Sequence, residues 1–167
     1  DAHRLLTSPR RRTLRVAHLV SSYLPITQRW IYAQIQATPG TEPIVLNCGP
    51  RVQEQEFPVA HHVSLGDLAR RASAREADGW ECEGASPTLV RYARRLKCDL
   101  IHAHFGPMGT VGVPLAAALG VPLVTSFYGY DVGLLPRQAA WRSAYKQLFK
   151  SGTRFMEEGP VLADSLA

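Results

Sequence analysis

Short continuous runs of apolar residues alternate along the chain with longer stretches in which apolar positions recur three or four residues apart. The short runs are rich in strand-forming residues and end at turn residues, which predicts buried strands. Strands are predicted at residues 14–20, 42–49, 57–63, 99–105, 121–127 and 153–159. Because most of these runs lack polar alternation, both faces of the strands should be buried, as in a parallel sheet.

The stretches between the strands predict helices. Thr27 precedes the first one, in which Ile31 and Ile35 share a face, and its hydroxyl is expected to cap the free amides of the first turn. Further helices are predicted at residues 66–76, 86–96, 108–120 and 136–149, and another opens within 160–167. This alternation predicts an α/β, Rossmann-like parallel sheet with helices on both faces. We assign residues 1–13 to a flexible lead-in and residues 14–167 to one domain.

Composition narrows the class of protein. Hydrophobic residues make up 46% and charged residues 20% of the 167 positions, which is typical of a globular domain. No apolar stretch approaches the roughly 20 residues that a membrane-spanning helix needs. The three cysteines form no C-x-x-C pair, which favours free thiols in a reducing compartment over disulfides or a zinc knuckle. With no initiating methionine and no signal-peptide pattern, we expect a piece of a longer cytoplasmic protein.

Basic residues outnumber acidic ones by 19 to 14 and are clustered. The clusters lie at residues 10–15, 70–75 and 91–97. Such clusters favour anionic partners, namely nucleic acid, lipid headgroups or phosphorylated small molecules, whereas solvated helix faces are the alternative for the second and third. Within the three clusters Tyr92 is the only aromatic residue, so they lack the repeated aromatic interleaving of nucleic-acid-binding segments and no nucleic-acid partner is predicted.

In a sheet of this kind, ligands bind beyond the carboxyl ends of the strands. The loops at those ends span residues 21–28, 104–109 and 126–131. His102 and His104 alternate onto one face of their strand, with His104 nearer its open end. A third metal ligand could come only from Asp131 in the next loop, so no metal is predicted. His102 is interpreted as a hydrogen-bonded core histidine, whereas His104 fits ligand contact and structural anchoring equally well.

The segment GPMGTVG, residues 106–112, follows His104 directly. Gly106 and Gly109 let the chain turn tightly and approach a ligand, and the helix that follows directs free amides to the same space. The segment matches neither G-x-G-x-x-G nor a P-loop, so a purely structural turn stays open beside a phosphate or carboxylate site.

The segment SFYGYD, residues 126–131, ends the next strand. Tyr128, Tyr130 and Asp131 would form a rim of hydroxyls and a carboxylate, suited to hydrogen-bonding a sugar and to accepting a proton from its hydroxyl. The alternative is a turn in which Gly129 supplies the geometry and Asp131 caps the next segment.

Residues 99–132 resemble the D-x-h-H-x-H-F-G segment, the following helix and the T-F-H-G-x-D segment of family-4 glycosyltransferases of the GT-B fold, especially the exopolysaccharide and colanic-acid branch. LPITQRWIYAQI, residues 24–35, is similar to the family's S-E-T-F-h-x-x-Q-I segment, and FMEEGPVLADSL, residues 155–166, adds support. The resemblance implies one half of a GT-B fold, the acceptor-side N-terminal domain of a retaining enzyme. Such an enzyme transfers a sugar from a nucleotide-sugar donor to a glycan or lipid-linked acceptor, without a metal or other cofactor.

The matching positions carry the family's site residues over to this chain. The resemblance implies that Asp131 and His104 are catalytic and that the substrate-binding residues are Gly106, Tyr128, Gly129, Thr27 and Gln28. Two positions depart from the family pattern. Tyr128 stands where histidine is most frequent, so a role that depends on imidazole is not carried over. Residues 21–23 replace the Gly-Gly turn of many members, so donor contact from that loop is not implied.

No two glutamates are eight residues apart, so the E-x7-E pattern of the family's donor domain is missing. We therefore expect an acceptor-side half that is inactive alone. The basic clusters, together with the lipid-linked acceptors of similar enzymes, predict peripheral contact with anionic membranes. Two other classes stay open: a noncatalytic sugar- or nucleotide-binding module, and a hydrolase that binds a metal at His102, His104 and Asp131.

Overall fold

The computed structural model describes residues 12–49, 53–64 and 87–160. Within them six parallel strands form one sheet: β1 (Leu14–Val20), β2 (Thr41–Asn47), β3 (His61–Ser64), β4 (Leu100–His104), β5 (Leu123–Phe127) and β6 (Arg154–Glu157). Their order is β3-β2-β1-β4-β5-β6. The direction of chain progression reverses between β1 and β4, and ligands bind beside such a switch point in open α/β sheets. The predicted Rossmann-like α/β fold is confirmed.

The helices of the described part lie between the strands. They are α1 (Arg29–Ala37), α2 (Pro87–Leu96), α3 (Gly106–Leu119), α4 (Tyr130–Gly133) and α5 (Ala139–Ser151), with 3-10 turns at Ile26–Gln28 and Leu135–Arg137. Gly120 ends α3 in a left-handed conformation with φ of 68°, as glycine readily does. None of the described helices has the length and apolar character needed to cross a membrane.

Two clusters of buried side chains cover opposite faces of the sheet. Leu19 points toward α3 and α5 and packs with Leu115, whereas Val20 points toward α1 and packs with Ile31 and Ile35. Consecutive strand residues alternate between faces, so both faces of β1 are buried. Helices on both faces of the sheet are therefore confirmed.

Several predicted boundaries need correction. The strand expected at 57–63 occupies only His61–Ser64, because Phe57 is buried in the α1 cluster and its carbonyl accepts a hydrogen bond of 2.5 Å from Tyr23 Oη. The helix expected from residue 108 begins at Gly106. The one expected at 136–149 is divided into a 3-10 turn and α5, since Gln138 between them is extended.

The capping role predicted for Thr27 is wrong. Thr27 lies inside the 3-10 turn that follows Pro25, and Gln28 occupies the N-cap of α1 without a side-chain cap hydrogen bond. The turn is closed by the Gln28 N–H, which donates to the Pro25 carbonyl at 2.8 Å. The predicted helix at 66–76, the first residue of the helix predicted at 86–96, and most of the lead-in and the final segment lie outside the described residues.

Candidate functional site

The carboxyl ends of β4 and β5 bring most of the predicted site residues together. His104 is the last residue of β4, Gly106 is the first of α3, and Tyr128 follows β5 directly. Gly129 has a φ of 108°, which glycine tolerates, and it leads into α4, which contains Asp131. The structure places two further predicted residues, Thr27 and Gln28, in the 3-10 turn before α1.

Asp131 joins the two loops. Its side chain is fully buried, with 0% exposure. Its Oδ2 accepts the Gly106 N–H at 2.8 Å, and its Oδ1 accepts the Tyr128 N–H at 2.9 Å. The Asp131 carbonyl accepts a further hydrogen bond from Tyr145 Oη at 3.0 Å. The carboxylate thereby fixes the position of both loops, and a catalytic role for it stays a prediction.

The turn between β4 and α3 is strained at Phe105. Its φ of 74° and ψ of 148° lie in a region that side chains other than glycine rarely adopt, at a cost of about 1–3 kcal/mol. The Phe105 N–H donates to the Ser126 carbonyl at 2.9 Å, and Asp131 holds the N–H of the next residue. These bonds from β5 and α4 hold the strained turn in place.

The glycines of this turn serve packing inside the domain. A Cβ at Gly106 would overlap the Tyr145 side chain and lie 2.7 Å from Phe127 Cε1, and one at Gly109 would lie 2.7 Å from Thr125 Cγ2. Without side chains at these two positions, α3 approaches β5 closely. Their Cβ positions face the core, so the missing side chains do not by themselves open room for a ligand, and the approach of this turn to a ligand stays a prediction.

His104 is buried with 0% exposure and lies within hydrogen-bond distance of two other ring side chains. Its Nδ1 lies 2.8 Å from Tyr128 Oη, and its Nε2 lies 3.1 Å from Nδ1 of His18. His18 is the β1 residue in register with His102, so all three histidines share the sheet face beneath α1. The sequence analysis missed His18, which stands as a lone polar residue in an apolar run. Only the adjacency of β1 and β4 reveals its role.

Burial keeps these histidines neutral at pH 7. It lowers the pKa of His18 to about 3 and that of His102 to about 4, and it holds the pKa of His104 well below the usual 6.5. Proximity to His102 further disfavours a charge on His18 and His104. Each imidazole therefore offers one N–H donor and one lone pair.

The three histidines could together hold a metal ion, because one ligand nitrogen from each lies within 4.8 Å of the others. Three neutral imidazoles form a known type of zinc site. However, both nitrogens of His104 and Nε2 of His102 already contact protein groups, the last at 2.7 Å from Ser126 Oγ. Metal binding would have to break at least one contact of His104, either that with His18 or that with Tyr128. The absence of a metal stays a prediction.

Tyr128 is half-buried and borders the solvent-exposed side of the cluster. Its ring packs edge-on against Trp30 and Phe105, at centroid distances of 4.2 and 4.8 Å. Burial raises the pKa of Tyr128 to about 12, and a hydrogen bond with Ser126 acts in the opposite direction. Tyr128 therefore stays protonated near neutral pH and is suited to hydrogen bonding.

A cleft of about 410 Å³ opens beside Tyr128 on the same face of the sheet. The polar groups along it come from α1, β4, β5 and the end of β6: Gln34, His102, Ser126, Tyr128, Glu157 and Glu158. Met156, at 53% exposure, adds an apolar surface. Hydroxyl, amide and carboxylate groups beside an apolar surface are suited to binding a polar organic molecule with several hydroxyls.

Comparisons with known proteins agree with this fold. Residues 42–156 match the family model described as Glycosyltransferase Family 4. Among solved structures, a UDP-N-acetylglucosamine 2-epimerase superposes with a TM-score of 0.62 at 11% identity, which shows similarity of fold. The match covers 93% of this chain but 44% of the epimerase chain. No curated protein matches the chain.

Proposed function

Because the chain belongs to glycosyltransferase family 4, we propose that it forms the acceptor-side domain of a retaining glycosyltransferase of the exopolysaccharide type. The enzyme would transfer a sugar, of the hexose type, from a nucleotide-sugar donor to a glycan or lipid-linked acceptor. The observation that carries the proposal is the cluster of polar side chains at the carboxyl ends of β4 and β5, beside the switch point of a family-4 domain.

The acceptor would lie against Tyr128 and the cleft next to it. Tyr128 offers a protonated hydroxyl, and the side-chain oxygens of Gln34 and Glu157 can accept hydrogen bonds from the hydroxyls of a sugar. We propose that His104 and Asp131 act in catalysis on this side, and that Gly106, Gly129, Thr27 and Gln28 complete the substrate-binding edge. The nucleotide sugar would be held mainly by a second domain, so this chain alone would not catalyse the transfer.

A direct assay tests the proposal. The protein that carries this chain is incubated with a panel of nucleotide sugars and a lipid extract or glycan pool, and the product's anomeric configuration is determined by NMR. We expect transfer of one sugar with retention of configuration. Binding of sugars or nucleotides with no transfer from any donor would instead indicate the noncatalytic module, and inversion would refute the retaining mechanism.

We also propose that the protein works on the cytoplasmic side and contacts anionic membrane surfaces. Exposed basic side chains support this proposal. They lie on α2 and at the residue that follows it: Arg91, Arg94, Arg95 and Lys97. Each such charge near an anionic surface contributes about 1 kcal/mol. Sedimentation with liposomes should increase with anionic lipid and decrease with salt. Binding that depends on neither would contradict the proposal.

A further inference from the structure

Four side chains form a continuous row of hydrogen bonds from the core to the cleft. His18 Nδ1 lies 3.1 Å from His104 Nε2, His104 Nδ1 lies 2.8 Å from Tyr128 Oη, and Tyr128 Oη lies 3.3 Å from Gln34 Oε1. The two histidines are buried, with 3% and 0% exposure, whereas Gln34 is exposed. The row therefore connects a fully buried position on β1 to the surface where a substrate would bind.

The protons of the row can be arranged in two ways. In the outward arrangement, His18 Nδ1–H donates to His104 Nε2, His104 Nδ1–H donates to Tyr128 Oη, and the tyrosine O–H donates toward Gln34. In the inward arrangement every donor and acceptor is exchanged, so Tyr128 donates to His104 and His104 donates to His18. Because both imidazoles are neutral, the tautomer of His104 and the direction of the Tyr128 hydroxyl are coupled.

His18 Nε2 distinguishes the two arrangements. This atom is buried and has no hydrogen-bond partner within the described part of the chain. In the outward arrangement it carries only an unused lone pair, whereas in the inward arrangement it is a buried N–H without an acceptor. Buried N–H donors without a partner are rarer than acceptors with an unused lone pair. Gln34 also presents its carbonyl oxygen to Tyr128, as the outward arrangement requires.

We propose that His18 is a positioning residue that fixes His104 as the Nδ1–H tautomer and thereby directs the Tyr128 hydroxyl toward an oxygen of the bound acceptor. Its role in acceptor binding rests on the proposed function, whereas its control of the tautomer does not. A bound acceptor oxygen would replace Gln34 as the partner of the tyrosine O–H. His18 would thus affect substrate binding without touching the substrate.

NMR of protein labelled with ¹⁵N-histidine tests the control of the tautomer. At pH 7 we expect the Nδ1–H tautomer for both His18 and His104, with signals assigned through His18→Asn and His104→Gln. The amide of His18→Asn can reproduce the Nδ1–H donor and should preserve the His104 tautomer. His18→Leu removes the donor and should shift the His104 proton to Nε2. If His18→Leu does not fold, the wild-type spectrum still tests the inference, because a His104 Nε2–H tautomer would refute it.

Kinetics of the protein that carries this chain test the effect on the substrate. His18→Leu should raise the acceptor KM about tenfold with a smaller change in kcat, and His18→Asn should restore most of the loss. Val45→Ala is the matched control, because Val45 is the buried residue in register with His18 on β2. It should lower the melting temperature while leaving the acceptor KM unchanged.

Three results would overturn the inference. They are a His104 Nε2–H tautomer in the wild type, an unchanged His104 tautomer in folded His18→Leu, and a stoichiometric metal in the purified protein. In the last case His18 and His104 would share an ion instead of a proton. Failure to detect sugar transfer would refute the proposed function but would leave the NMR result intact, so the two failures are distinguishable.

Discussion

Lowering the pH from 7 to 5 should destabilise the fold through His18, His102 and His104. Burial lowers the pKa of the first two to about 3 and about 4 and holds that of His104 well below 6.5. In the unfolded chain all three titrate near 6.5. Between about pH 6.5 and pH 4 the unfolded chain therefore binds protons that the folded chain excludes. The free energy of unfolding must fall as the pH decreases through this window.

The size of this loss of stability follows from the difference between the pH of the measurement and the histidine pKa in the unfolded chain. Each pH unit below 6.5 is worth about 1.4 kcal/mol for each histidine that stays neutral in the folded state. At pH 5 this amounts to about 2 kcal/mol per residue and about 6 kcal/mol for the three. A typical domain has a total stability of about 5–15 kcal/mol, so much of the stability should be lost.

Urea unfolding at pH 7.5, 6 and 5, followed by tryptophan fluorescence, measures this loss. The matched variant is His102→Gln, whose amide can reproduce the contact of the histidine Nε2 with Ser126 while removing one titrating group. Its pH dependence should be about a third smaller than that of the wild type. A wild-type loss of less than about 1 kcal/mol between pH 7.5 and 5, or an identical pH dependence in the variant, would refute the argument.

Three further outcomes can be checked with the same protein. Asp131→Asn replaces one acceptor oxygen with an NH2 group, so we expect the free energy of unfolding, measured by chemical unfolding, to fall by about 2–3 kcal/mol. Turnover should fall further if the carboxylate is also catalytic. Unchanged stability would contradict the role of Asp131 in anchoring the two loops. Gly106→Ala should cost about 1–3 kcal/mol because its methyl group would overlap Tyr145, whereas Gly133→Ala, with no atom within 4 Å of its Cβ position, should be close to neutral; equal melting temperatures for the two would refute this. Titration calorimetry should show weak or no binding of nucleotide sugars to this chain alone, and micromolar affinity, roughly −8 kcal/mol, would show that the donor pocket lies within it.

The sequence was sufficient to predict the sheet because the signal for buried parallel strands is local. Each of the apolar runs around Leu19, Ile101 and Leu123 can be recognised as a buried strand from its own residues. The predicted ligand-binding edge then follows from the strand directions. Strand β3 was misplaced by several residues, because Phe57 resembles a strand residue but packs into the α1 cluster instead. Local pattern does not distinguish these two uses of an aromatic residue.

The partners within the site depend on pairings that are distant in sequence. His18 and His104 are 86 residues apart and meet only because β1 lies beside β4. Asp131 was selected from its loop, but its partners are the backbone amides of Gly106 and Tyr128, and no side-chain pattern encodes these. The residue types at the edge could therefore be predicted, whereas the hydrogen bonds between them required the structure.

Acceptor kinetics of Tyr128→Phe test most directly whether this edge of the sheet binds the acceptor. The change removes only the hydroxyl that lies between His104 and Gln34. The control is Tyr32→Phe, which removes a hydroxyl that donates to the Pro58 carbonyl at 3.0 Å. In the protein that carries this chain, Tyr128→Phe should raise the acceptor KM about tenfold while the donor KM stays unchanged, and Tyr32→Phe should alter neither. An unchanged acceptor KM in Tyr128→Phe would contradict the assignment of this edge as the acceptor site.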